Sequence, residues 1–165
     1  MGKAPVELGT AVFDVESSRL HFKKGLTYFK LMSEAVAEED KIKLEFVSPA
    51  AFRHHGKLQL LPQPDLVYGS LARRWSLYSD IDIPTYNIDS LQVSRYKLKT
   101  EVVFFKRYSL IGFKGSCEYG FLNKPDEIER WPFFVLSKYA SIASLGYKTT
   151  MGMGQVRVSG KLVNK

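Results

Sequence analysis

From residue 41 onward the hydrophobic pattern changes period in a fixed order, and that order limits the folds open to the chain. Residues 41–48 alternate: Ile42, Leu44 and Phe46 against Lys41, Lys43 and Glu45. Such alternation predicts a half-buried strand. A loop is predicted from Ser48 to Pro64, punctuated by Pro49, Gly56, Pro62 and Pro64. Asp65 to Tyr78 then takes helical spacing, with Val67, Leu71, Trp75 and Tyr78 on one stripe and Arg73 on the far side. Ser79 to Ser90 reads as a loop. Residues 91–106 alternate again, Tyr96, Leu98, Val102 and Phe104 on an inner face and Arg95, Lys97 and Lys99 on an outer one. A turn near Arg107–Ser109 leads into a strand from Leu110 to Phe121. Its Gly112, Gly115 and Gly120 point to bulges or close backbone approach. A second helix is predicted from Pro125 to about Leu145, with Trp131, Phe134, Val135, Ile142 and Leu145 inward, and a last strand over Val156–Leu162. The order is β-α-β-β-α-β, which predicts an α+β, ferredoxin-like domain: an antiparallel sheet with two helices on one face.

Ahead of this unit, residues 1–40 form a short segment too small to bury its own core. Two short strands are expected within 7–24, with Leu20 and Phe22 alternating against Arg19, His21 and Lys23, and a helix over 26–37. The expected division is therefore 1–40 and 41–165. No run approaches the roughly 20 apolar residues that span a bilayer, and the first residues lack the apolar core of a signal peptide. The single cysteine, Cys117, is compatible with a reducing cytoplasm and excludes an internal disulfide framework.

Charge is distributed unevenly. Residues 1–40 hold 5 basic and 7 acidic groups, and residues 41–165 hold 19 basic and 10 acidic, a net of +9. Such a surface attracts polyanions, nucleic acid among them, although a basic soluble domain without such a partner has the same composition. Arg95, Lys97 and Lys99 would form a basic row suited to single-stranded RNA, or an ordinary polar face. Arg73 and Arg74 could touch phosphates. Arg73 equally fits a solvated helix face, and Arg74, nearer the buried stripe, a carboxylate pair. His54 and His55 follow Arg53 in the predicted loop, where an imidazole could act as general base or simply meet solvent. Three histidines and one cysteine do not suggest a metal site, and no cofactor is expected.

The stretch Gly146-Tyr147-Lys148-Thr149-Thr150-Met151-Gly152-Met153-Gly154-Gln155 frames a lysine and two hydroxyls with glycines. Amides in such a loop can nest a phosphate, and Lys148 adds charge. It is not a P-loop, because Tyr147 precedes the Lys-Thr pair and the loop runs from helix to strand. A helix cap followed by a turn explains it equally well.

This stretch resembles the glycine-rich C-terminal motif of the CRISPR repeat-processing endoribonucleases, members of the RAMP superfamily. Three further stretches resemble that family in order and spacing. They are Leu44 to Arg53, ending in Pro-x-x-Phe-Arg; Leu61 to Trp75, with Gly69-Ser70-Leu71 and Arg73-Arg74; and Ile111 to Gly115. The resemblance spans roughly residues 41–160. It implies a RAMP domain and binding of CRISPR repeat RNA through Arg53, Arg73, Arg74, Arg95, Lys97, Lys99, Gly146, Lys148, Thr149, Gly152, Gly154 and Gln155. It also implies metal-independent cleavage by 2′-hydroxyl attack, leaving a cyclic phosphate, and an association with other CRISPR-associated subunits but no membrane. The family places its general acid/base, often a histidine, in a preceding ferredoxin-like domain. This sequence is expected to lack that domain except for a tail within 1–40, which leaves His54 and His55 as weak catalytic candidates. Two other functions fit the same residues: a non-catalytic RNA-binding subunit of a CRISPR effector complex, and a ferredoxin-like module for assembly or a small ligand.

Overall fold

A computed structural model describes residues 27–37 and 39–159, together with two short strands, β1 (Val6–Leu8) and β2 (Ala11–Phe13), which pair antiparallel. The expected alternation of Leu20 and Phe22 lies outside the described residues, as do Lys161 and Leu162. The expected N-terminal helix is shorter than its sequence window. It is α1 (Tyr28–Ser33), opened by the Thr27 side chain, which accepts the Lys30 N–H.

The central unit follows the predicted order. Strand β3 (Lys41–Ala50) leads through helix α2 (Pro64–Tyr78) to β6 (Leu91–Phe104). Strand β7 (Ser109–Phe121), helix α3 (Glu127–Ala143) and β8 (Val156–Ser159) complete it. The sheet order is β6-β7-β3-β8, every neighbouring pair antiparallel. Two βαβ units interleave so that the first and third strands sit centrally, the ferredoxin-like arrangement.

Local chemistry explains the helix boundaries. Pro64 occupies the first turn of α2, where an N–H would lack a partner. Asp126 caps α3 by accepting the Glu129 N–H at 2.8 Å, and Glu127 and Glu129 lie at the positive end of the helix dipole.

The core lies between the sheet and both helices. Ile42, Leu44 and Phe46 of β3 and Phe113, Cys117 and Tyr119 of β7 meet Val67, Tyr68, Leu71 and Trp75 of α2 and Phe133, Phe134, Leu136 and Tyr139 of α3. Burial of a large apolar side chain contributes about 1.5–3 kcal/mol, so this interface fixes the helices on one face. Its buried polar atoms are partnered: Tyr68 Oη lies 3.0 Å from Ser137 Oγ, and the Tyr119 hydroxyl donates to the Pro62 carbonyl at 2.8 Å. Helix α1 packs across α3, Tyr28 meeting the Trp75 ring edge-on with centroids 4.8 Å apart. Lys138 Nζ donates to the Glu34 carbonyl at 2.7 Å.

Several expectations are corrected. The stretch expected to be a loop from Ser48 to Pro64 contains a hairpin, β4 (Phe52–His54) with β5 (Lys57–Gln59). Its two turn residues, His55 and Gly56, both have positive φ, 48° and 76°, as a two-residue hairpin turn that matches strand twist requires. Tyr78 and Ile142 are exposed; Tyr68, Phe133, Leu136 and Tyr139 occupy the buried stripes instead. Along β6 the inner face is as expected, since Tyr96 and Thr100 pair with the buried Cys117 and Phe113. Yet Tyr96, Val102 and Phe104 are exposed, because this edge strand runs beyond the helices that cover the sheet. An irregularity between Val93 and Arg95 resets the side-chain alternation there.

Candidate nucleic-acid interface

The C-terminal end of β3 organises the surroundings of the glycine-rich loop. Ala51, just after β3, accepts the Tyr147 N–H at 2.6 Å, and Pro49 accepts the Gly154 N–H at 2.8 Å. The loop closes on itself where Leu145 N–H donates to the Gly154 carbonyl at 2.7 Å. These approaches require glycine. A Cβ on Gly146 would lie 2.3 Å from the Ala51 oxygen, and one on Gly154 would lie 1.8 Å from the Leu145 oxygen. Both glycines therefore let backbones touch.

Half of the ten amides in residues 146–155 are committed to protein acceptors. Besides those of Tyr147 and Gly154, Met151 N–H donates to Lys148, Gly152 N–H to Thr149, and Gln155 N–H to Ser48 Oγ. Besides the amides without such a partner, the loop offers an anion its side chains. Lys148 is the principal one. It holds a left-handed backbone, φ 61°, at the start of a short 3-10 turn, Thr149–Met151. Its ammonium lies 5.3 Å from the Tyr147 ring centre and 5.5 Å from that of Tyr108. The hydrogen bond to Tyr108 and the two phenol groups raise its pKa above the ordinary lysine value, so it stays cationic at neutral pH. Tyr108 comes from the tip of the β6–β7 hairpin, and its hydroxyl also contacts Met151 Sδ at 3.6 Å.

Among the described residues Arg74 pairs with no carboxylate. Its Nη1 donates to the carbonyls of Ala143 and Ser144 at 2.8 and 3.0 Å, and its Nη2 to the Gly146 carbonyl at 3.0 Å and Thr149 Oγ1 at 3.4 Å. The guanidinium therefore caps the C-terminal end of α3 and ties the loop to α2. Arg74 and Thr149 are positioning residues of the loop. Arg53 and Arg73 are exposed. Arg53 Nη1 approaches the Tyr147 hydroxyl at 3.4 Å, its guanidinium carbon 5.5 Å from that ring centre.

These groups converge. An open pocket of about 290 Å³ lies between hairpin β4–β5, helix α2 and the start of the glycine-rich loop. Arg53, His54, Arg73, Arg74, Gly146 and Tyr147 line it, with Asp65 and Ser70 on the helix side. Three arginines against one carboxylate make it cationic, and Arg–phosphate geometry favours bidentate contacts. His54 is at the rim. Its ring meets that of His55 edge-on, centroids 4.1 Å apart. Among the described residues no hydrogen bond or ion pair orients either imidazole. Sequence reasoning overlooked Tyr147 and Tyr108, because nothing in their spacing shows that Lys148 would rest on both rings.

Arg95, Lys97 and Lys99 do not join this cluster. They point from the face of the sheet opposite α2 and α3, where they pair in register with Glu118, Ser116 and Lys114. Lys99 is bound to Glu101 at 2.7 Å, with Lys114 4.0 Å from the same carboxylate. Lys41, Lys43 and Arg157 share this face through β3 and β8. Two basic surfaces thus lie on opposite sides of one sheet. Gln155 is exposed, and its carbonyl accepts the Val47 N–H.

The family model for the CRISPR-associated endoribonuclease Cas6 matches residues 44–156, a stretch that holds the pocket and the glycine-rich loop. The chain belongs to the Cas6 family. It is 25% identical over 149 residues to the Cas6 endoribonucleases of two Mycobacterium tuberculosis strains, an alignment covering 86% of this chain and 46% of theirs. The chain therefore spans about half the length of the curated relatives it matches. A Cas6 product complex superposes with a TM-score of 0.81 at 26% identity, over 96% of this chain and 67% of that one. A Cas6 substrate mimic complex does so with 0.66 at 26% identity, over 81% and 58%. Thermus thermophilus Cas6, at 21% identity and a TM-score of 0.70, covers 81% of this chain and 58% of its own length and shares the fold. The Cas6 family and the ferredoxin-like fold are those expected from the sequence. Among the described residues no helix is long and apolar enough to cross a membrane.

Proposed function

We propose that this Cas6-family chain binds CRISPR repeat RNA on the helix side of its sheet, with backbone phosphates held by Arg53, Arg73 and Lys148. The observation that carries this reading is the convergence of Arg53, Arg73, Arg74 and Tyr147 on one pocket beside the Lys148 loop. One Cas6 relative, solved both as a product complex and as a substrate mimic complex, supports the assignment.

The arrangement stabilises negative charge at a phosphate, one of the two requirements of 2′-hydroxyl attack. The other is an oriented proton acceptor. His54 and His55 sit exposed on a hairpin with only each other as ring neighbours, so neither is held for that role. In this reading the 165-residue chain binds repeat RNA and cuts it slowly at most.

The test uses end-labelled repeat RNA in EDTA. Binding should fall steeply with salt as counterions are released. Arg53→Ala and Arg73→Ala should each weaken it about tenfold, while Arg95→Ala on the far face changes it little. Selective loss in Arg95→Ala and Lys97→Ala would move the RNA to the open sheet face. Rapid site-specific cleavage that disappears in His54→Ala or His55→Ala would return the base to this hairpin.

A further inference from the structure

Strand β6 forms one edge of the described four-stranded sheet and runs from Leu91 to Phe104. A long edge with unpaired N–H and C=O groups is a template for another strand. Three of its apolar side chains are largely exposed: Tyr96 at 62%, Val102 at 51% and Phe104 at 81%. The hydrogen-bond phase of this edge follows from the hairpin. Phe105 N–H donates to the Tyr108 carbonyl, and pairing alternates from there in unbroken register back to Arg95. The N–H and C=O groups of Tyr96, Leu98, Thr100, Val102 and Phe104 consequently point away from β7, toward the open edge.

We propose that β6 pairs antiparallel with β6 of a second copy of this chain, about a two-fold axis at Thr100. This register sets Thr100 against its twin, Leu98 against Val102 and Tyr96 against Phe104, all residues whose backbone groups point outward. The two apolar pairings, each made twice by symmetry, fall on one face together with the Thr100 pair. On the other face Lys99 meets Glu101 of the second copy, twice by symmetry, at the closer, non-hydrogen-bonded spacing. Within one chain these two side chains already form an ion pair, so the interface gathers four alternating charges.

Charge selects the register. Centring on Lys99 or on Glu101 sets like charge against like. Centring on Leu98 opposes Lys97 with Lys99. Only the Thr100 centre among these four gives opposite charges together with apolar partners. A symmetric, self-complementary patch is what an isologous dimer requires. This inference rests on the strand edge and is independent of the RNA pocket.

Sedimentation velocity of the 165-residue chain over a concentration series, without RNA, tests the pairing. The native chain should pass from monomer to dimer as concentration rises. Thr100→Pro removes an outward N–H and no β6–β7 bond, so it should weaken the dimer at least about tenfold with the fold intact by circular dichroism. Lys99→Glu should weaken it about tenfold, because attraction becomes repulsion at both symmetric pairs. Adding Glu101→Lys to that variant should restore affinity to within about threefold of the native value. Should Thr100→Pro fail to fold, the charge swap decides alone. A chain that is monomeric throughout, or a dimer indifferent to Lys99→Glu, overturns the proposal, as does a double variant no tighter than the single one.

Discussion

Replacing Gly154 by alanine should destabilise the domain several times more than the same change at Gly152, two positions earlier in the same loop. Both residues have positive φ, 71° and 83°, so both substitutions carry the left-handed cost of about 1–2 kcal/mol. Alanine also restricts the unfolded chain and returns about 0.4–1 kcal/mol at either site. What differs is space. Nothing lies within 4 Å of a Cβ on Gly152, whereas one on Gly154 would sit 1.8 Å from the Leu145 oxygen and 2.8 Å from its carbonyl carbon. Both atoms are backbone and cannot swing aside. Relieving the clash requires the two segments to separate, which breaks the bonds from Leu145 N–H to Gly154 and from Gly154 N–H to Pro49, 2.7 and 2.8 Å. At about 1 kcal/mol each, the two bonds bring the Gly154 penalty to about 3 kcal/mol, against about 1 for Gly152. For a chain of this length that corresponds to roughly 6–12 °C of melting temperature against 2–4 °C. Differential scanning calorimetry of both variants measures it. Losses equal to within about 0.5 kcal/mol would refute the claim that backbone approach, and not loop conformation alone, requires glycine at position 154.

Two further outcomes follow from the same geometry. Lys148→Ala should weaken repeat-RNA binding about tenfold while leaving thermal stability within about 0.5 kcal/mol, because the ammonium rests on tyrosine rings at the surface; unchanged RNA affinity at constant salt would leave the loop as a plain turn. Burial pushes the Cys117 thiol up to about 11 from an ordinary 9, so native protein at pH 8 should react slowly with a thiol reagent and denatured protein rapidly. The sign for stability is set by the same shift: the contribution is complete below pH 9 and is lost as pH rises toward 11, where the folded chain finally releases the proton.

The sequence alone determined the order of elements from β3 onward, because alternation at Ile42, Leu44 and Phe46 and helical spacing at Val67, Leu71 and Trp75 are imposed by one-sided burial. It also placed most of the cationic residues and glycines now found around the pocket. Hairpin β4–β5 was not legible, since its turn is His55-Gly56 and histidine is a weak signal for a left-handed turn position. The extent of helix cover was not legible either. Tyr96, Val102 and Phe104 share the helix side of β6 with Leu98, and only the lengths and placement of α2 and α3 decide that they remain uncovered. Arg73 and Arg74 are adjacent in sequence, yet one faces solvent and the other closes the end of α3. That difference depends on which carbonyls tertiary packing brings within reach of a guanidinium, at Ala143, Ser144 and Gly146, some 70 residues away. For the same reason the two basic clusters could not be separated in sequence: whether Arg53 and Lys97 share a surface is decided by the sheet that stands between them.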